Sequence, residues 1–154
     1  MRIPAASVLV QVPRERVFAF MRDQAKLKRW QPEVIDSLLL SGDGSAMGSR
    51  WRLTVEDPAR GRFELETWIV ALKENEFLAY AWEEPRSVGE VEYRLVGSGP
   101  GTRIQSTATF YLRGFGRVFT PLVTGSVARK LASRLKLLRE QLEAEEQGPL
   151  PDAI

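Results

Sequence analysis

A long C-terminal helix constrains this chain more than any other feature. From Gly114 to Gln147 the sequence reads as one helix with two dissimilar halves. Between Phe115 and Val127, Phe115, Val118, Phe119, Leu122, Val123 and Val127 recur too often for a single stripe, so this half must be enclosed by protein or line a cavity. From Leu131 the pattern narrows to Leu131, Leu135, Leu138 and Leu142, which share one face. Arg129, Lys130, Arg134, Lys136, Arg139 and Glu140 fall on the face left to water. Pro121 either kinks the helix near Phe119, making Gly114–Thr120 a separate lid-like segment, or simply starts the main helix. A chain of 154 residues has room for one domain to supply both kinds of neighbour, with Gly148–Ile154 left as a frayed tail.

The neighbours are strands. After a first strand in the opening MRIPAASVLVQV, Pro13 starts a short helix that carries Val17, Phe20 and Met21 on one side. A second short helix, Gln24–Trp30, ends before Pro32. Six β-type runs follow, separated by turn residues: Val34–Leu40, Arg50–Glu56, Arg62–Leu72, Phe77–Glu83, Gly89–Val96 and Thr102–Leu112. Consecutive strands joined by short turns make an antiparallel meander, and the N-terminal strand brings the number to seven, an α+β arrangement. Period-two alternation turns Trp51, Leu53 and Val55 inward, with Leu78, Tyr80 and Trp82, then Val91, Tyr93 and Leu95, then Ile104, Ser106, Ala108 and Phe110. The run 62–72 is ambiguous: Phe63, Leu65 and Ile69 share one parity, and Glu64, Glu66, Trp68, Val70 and Leu72 the other. It is covered on both sides, shifts phase at a bulge, or carries a dimer contact on its outer face.

Composition removes whole classes of chemistry. The chain has no histidine and no cysteine, which excludes Ser-His and Cys-His catalysis, disulfides, and zinc or iron held by those side chains. Any reaction must use carboxylates, tyrosine, lysine, arginine, serine, backbone groups or ordered water. The 22 basic and 20 acidic residues are interleaved, which does not point to nucleic acid. No apolar run reaches the roughly 18 residues of a membrane span, and the N-terminus lacks the features of a signal peptide, so the expected location is the cytoplasm. Gly97-Ser98-Gly99-Pro100-Gly101 reads as a hairpin turn rather than a phosphate loop, because no helix follows it. Ser133-Arg134-Leu135-Lys136 has the spacing of a Ser-x-x-Lys nucleophile but lies mid-helix without companion motifs.

Several local patterns fall in a familiar order: Val12-Pro13 with Glu15, Val17-Phe18 and Asp23; Trp30-Gln31-Pro32; Gly48; Leu78-Ala79-Tyr80-Ala81-Trp82; Gly101-Thr102-Arg103; and Leu135-Lys136-Leu137-Leu138 running to Glu143. In that order, over about residues 3 to 147, the chain resembles the START-related SRPBCC superfamily, the helix-grip fold, and in particular its polyketide cyclase/dehydrase-like branch. The resemblance implies one SRPBCC/START-like domain over 1–147, with a curved seven-stranded sheet gripping the C-terminal helix around a deep apolar cavity for lipids, polyketides or aromatic molecules. It implies no universal catalytic motif.

Given such a cavity, the aromatic residues expected between sheet and helix are Trp51, Trp68, Tyr80, Trp82, Tyr93, Phe110 and Phe119, either as plain core or as ligand contacts. Small neighbours such as Ala79, Ala81, Ser106 and Ala108 leave volume that the rings do not fill. Glu66, Tyr80 and Tyr93 are the weak candidates for catalysis, with Glu66 otherwise a solvated outer-face carboxylate. No metal or cofactor is expected. The leading function is binding of a hydrophobic or aromatic small molecule. The alternatives are a cyclase/dehydratase-type enzyme using Glu or Tyr with water, and a protein-interaction module. The expected state is monomer or homodimer.

Overall fold

A computed structural model describes residues 1–114 and 120–148. Seven strands form one antiparallel sheet: β1 (Arg2–Val10), β2 (Val34–Ser41), β3 (Arg50–Asp57), β4 (Gly61–Lys73), β5 (Phe77–Glu84), β6 (Ser87–Ser98) and β7 (Gly101–Leu112). Between β1 and β2 lie α1 (Arg14–Arg22), a 3-10 turn (Gln24–Lys26) and α2 (Leu27–Trp30), and the last element is α3 (Thr120–Glu146). The strand order β1-β7-β6-β5-β4-β3-β2 is the meander expected from the turn signals, with the first strand paired on the seventh. The tight turns fall where the sequence punctuates. Asn75, at the β4–β5 reversal, takes a φ of 63°, a left-handed conformation that asparagine tolerates better than most residues.

The ambiguity of β4 resolves at a bulge. Phe63, Leu65, Thr67 and Ile69 share the inner face, and the pairing with β5 shifts between Ile69 and Ala71, which returns Leu72 to the core side. Glu64, Glu66 and Trp68 consequently lie on the outer face. Its charges pair across strands: Arg50 with Glu66 at 3.0 Å, Arg52 with Glu66 at 3.8 Å and Arg62 with Glu56 at 3.6 Å.

Leu131, Leu135, Leu138 and Leu142 are buried, so the second half of α3 packs as its periodicity predicts. Pro121 lies in the first turn of α3 as described, where a missing N–H leaves no intrahelical bond unmade. Most of the lid-like segment, including Phe115, Val118 and Phe119, lies outside the described residues, as does the tail beyond Gly148. Lys130 and Arg134 depart from expectation. Arg134 is largely covered and Lys130 stays exposed, but both turn to the rim of the cavity, where Lys130 reaches Asp57 at 3.7 Å and Arg134 reaches Glu33 at 2.6 Å. Long basic side chains bury their stems along apolar surface and carry the charge to a partner, which a helical-wheel reading cannot foresee.

The buried apolar side chains fall into two clusters. The larger gathers α1, α2, the inner faces of β3 to β6 and the C-terminal half of α3. The smaller joins Ile3, Ala108, Phe110 and Leu131, with Trp82, Val123 and Val127 against it.

Candidate functional site

Between the inner face of the sheet and α3 lies a cavity of about 400 Å³, with walls drawn from both clusters. It exists because the inner face alternates large rings with small residues. Tyr80, Trp82, Tyr93 and Phe110 line it, while Ala108 and Gly89 take up little of the space between them. Gly89 faces Trp82 directly across β5 and β6. A Cβ there would come within 2.6 Å of the Trp82 ring and 2.5 Å of the Thr109 carbonyl oxygen, so only glycine lets the indole lie against the sheet.

One end of the cavity is a closed polar network. Glu84 follows Tyr80 and Trp82 in the inward parity of β5, and its carboxylate side chain is only 5% exposed. Arg60, from the β3–β4 turn, grips it with two nitrogens on two oxygens at 2.7 and 3.3 Å while its guanidinium lies 4.0 Å above the Phe63 ring. Ser87 donates to Glu84 at 2.8 Å, and Trp82 Nε1 donates to Ser87 at 3.1 Å. Burial alone would raise the Glu84 pKa. The hydrogen bonds from Arg60 and Ser87, with the Arg60 charge, outweigh it and hold the carboxyl below its ordinary value of 4.5. Glu33, on the rim beside Arg134, behaves alike: desolvation raises its pKa, and the guanidinium overcomes that and lowers it.

The other end is formed by Gln24, Trp30, Tyr80 and Tyr93. Trp30 and Tyr93 meet edge to face, with ring centroids 5.7 Å apart. Burial pushes the phenol pKa values of Tyr80 and Tyr93 up, so both remain protonated donors at neutral pH.

Of the residues singled out from sequence, Tyr80, Trp82, Tyr93 and Phe110 come together on the cavity wall. Trp51 is buried on the inner face but stands behind Tyr80, with ring centroids 6.3 Å apart, and does not line the cavity. Trp68 and Glu66 are corrections: both are on the outer face, Trp68 beneath the Arg50 guanidinium at 4.1 Å and Glu66 paired with Arg50 and Arg52. A tryptophan covered by a cation needs no apolar neighbour, so its size alone misdirected the assignment. Phe119 lies outside the described residues. Sequence reasoning missed Glu84, although extending the parity of Tyr80 and Trp82 by one step reaches it. It also missed the cavity role of Trp30, which was expected only to end a helix.

A sequence model of the family described as polyketide cyclase / dehydrase and lipid transport matches residues 3–143. None of the curated proteins matches the sequence at a significant level. Among solved structures, the chain is similar to the Zhui aromatase/cyclase of a Streptomyces species, with 18% identity, a TM-score of 0.80, and 97% of this chain and 99% of that one covered. A Thermus thermophilus protein shows 22% identity and a TM-score of 0.75 over 94% of this chain and 99% of that one. A START superfamily protein of Mycobacterium smegmatis shows 18% identity and a TM-score of 0.66 over 90% and 99%. At these identities the structures share the fold. Among the described residues, no helix is long and apolar enough to cross a membrane.

Proposed function

The chain belongs to the polyketide cyclase/dehydrase and lipid transport family, and from that premise we propose that it binds a hydrophobic or aromatic, lipid- or polyketide-like small molecule in the cavity between sheet and C-terminal helix. The observation that carries this reading is the cavity itself, whose volume of about 400 Å³ lies where a helix and a sheet would otherwise interdigitate. That size falls in the range of ligand pockets, and its walls combine aromatic rings with a few polar groups, the composition of small-molecule sites. Affinity comes mainly from apolar burial, at about 25 cal/mol per Å². Tyr80, Trp82, Tyr93 and Phe110 provide the contacts.

Native mass spectrometry of the purified protein, followed by identification of any compound released, tests the reading directly. A co-purifying lipid or aromatic molecule supports it. In titrations with that compound, Trp82→Ala is expected to weaken binding at least about tenfold and Trp68→Ala to leave it unchanged. Equal effects of the two substitutions, or an effect of Trp68→Ala alone, would count against the site.

The cyclase/dehydratase alternative is favoured by one observation, an ionised carboxylate at the cavity wall. It acts through Glu84 rather than Glu66. On that reading Glu84→Gln abolishes turnover of a bound poly-β-ketone while its dissociation constant changes little.

A further inference from the structure

The two edges of the sheet are built differently. At one edge, β1 begins with a charge at Arg2, carries Pro4, which has no N–H to offer, breaks its register between Ile3 and Ala6, and has α3 packed against it. These are the devices by which a sheet refuses a further strand. At the other edge, β2 has no proline, no basic residue and a single charge, Asp36. Its two register shifts fall toward its ends and leave Asp36–Leu39 regularly paired with Thr54–Trp51, so a straight row of main-chain N–H and C=O groups faces outward without a ladder.

That row is flanked by apolar side chains. Leu38, Leu39 and Leu40 are 55, 43 and 37% exposed, and Met47, in the loop after β2, is 61% exposed. They are four of the seven large apolar residues exposed among the described residues, so the apolar surface gathers at this edge. Paired residues share a face: Leu38, opposite Arg52, is on the outer side with Asp36, and Leu39, opposite Trp51, is on the inner side with Ser37. Leucines on both sides of an open ladder are covered together by a strand, whereas a helix or loop laid on one face would cover only half of them. The charges select which strand. Asp36 forms no ion pair among the described residues and accepts the Ser37 N–H at 3.0 Å. Arg50 and Arg52, beside Ser41 and Leu38, share the single carboxylate of Glu66. The edge is thus acidic at one end and carries surplus positive charge toward the other. An antiparallel copy of the same edge sets unlike ends together, and a parallel copy sets the two Asp36 carboxylates side by side.

We propose that the β2 edge is an interface for a second copy of this chain, the two β2 strands pairing antiparallel across a two-fold axis at Leu38. The partner's Leu38 then faces Leu38 on the outer side, Ser37 stands opposite the partner's Leu39 on the inner side, and Asp36 lies at the end that holds the partner's Arg50. The contact closes, because the β1 edges left at the two ends of the joined sheet are blocked. It forms whatever the cavity holds. One strand pair buries less than the roughly 1,200–2,000 Å² of a standard interface, which places dissociation at about micromolar concentration.

Sedimentation velocity of the full chain from about 1 to 500 µM is the test, and the expected mass rises from that of one chain toward that of two. Leu38→Lys puts two ammonium groups on the axis in place of two packed leucines and should raise the dissociation constant at least about tenfold. Tyr111→Lys, at an exposed apolar residue of β7, should leave it unchanged. The chain has no cysteine, so single substitutions read the register. Directly opposed residues of an antiparallel pair lie about 4.5–5.5 Å apart at Cα, within reach of a disulfide, and residues two positions off the axis lie roughly 14 Å from their own copies. Leu38→Cys is therefore expected to cross-link to itself under mild oxidation with diamide, and Asp36→Cys is not. A monomer at every concentration overturns the proposal. A dimer that Leu38→Lys leaves intact also overturns it, since the contact then lies elsewhere. So does a failure of Leu38→Cys to cross-link faster than Asp36→Cys, which removes the antiparallel register at Leu38.

Discussion

The two ends of the cavity use similar side chains to opposite effect. At one end a tryptophan, a serine, a carboxylate and an arginine form an unbroken chain of hydrogen bonds from Trp82 through Ser87 and Glu84 to Arg60. At the other end a tryptophan, two tyrosines and a glutamine line the same space with their polar atoms unmatched. A satisfied polar network rigidifies what it joins, here the β3–β4 turn and the β5–β6 hairpin. An unsatisfied one contributes little to stability. Burial alone therefore does not reveal whether a polar residue serves the fold or a ligand.

The comparison breaks most visibly at Glu84. Glu84→Ala leaves Arg60 and Ser87 without their acceptor, and because Arg60 is partly exposed the expected loss is about 2 kcal/mol rather than the full cost of a buried ion pair, measured by urea denaturation. A change below about 0.5 kcal/mol would show that the network does not brace the hairpin. Gly89→Ala probes the seat of the network's tryptophan. Backbone at 2.5 Å cannot yield as a side chain can, so the expected cost is about 1–3 kcal/mol with a shifted Trp82 fluorescence.

Acid sharpens the contrast. The Glu84 and Glu33 carboxyls have folded-state pKa values below 4.5, so the stability they contribute is complete above that pH and is lost as pH falls through the lower folded values. Glu84→Gln should make stability fall less steeply below about pH 4.5 than it does in the parent chain, by chemical denaturation at stepped pH. The pKa values of the Tyr80 and Tyr93 phenols are raised instead, by burial, and they add no pH dependence through the neutral range. The smallest effect is expected at Tyr93→Phe. Deleting a hydroxyl that completes no well-formed hydrogen bond should leave the melting temperature unchanged or slightly higher, and a loss of more than about 1 kcal/mol would mean that the neighbouring Arg134 guanidinium does pair with it.

The strand series, its order and the leucine face of α3 were legible because each depends on local alternation and turn chemistry. Trp68 and Glu66 were not, because a one-residue bulge past Ile69 changes which parity is internal at Leu72, and no alternation rule locates a bulge in advance. Glu84 was missed because the run from Phe77 was ended at Glu83, one residue short of the strand's end. Arg60, which keeps it ionised, sits 24 residues earlier in a turn that sequence alone does not place.

The pairing of β1 with β7 has a consequence for assembly. Strands β2 to β7 are joined by successive hairpins and can pair as they emerge, but Ile3 must wait for Ala108, and α3 then packs largely on β1. Closing that long loop is the step with the highest entropic cost and the slowest search. Until it happens Ile3 and Leu131 have not met, and the smaller apolar cluster that walls one side of the cavity is incomplete. The binding site is therefore among the last features of the molecule to form, and a ligand that recognises it favours the closed chain over every partly folded form.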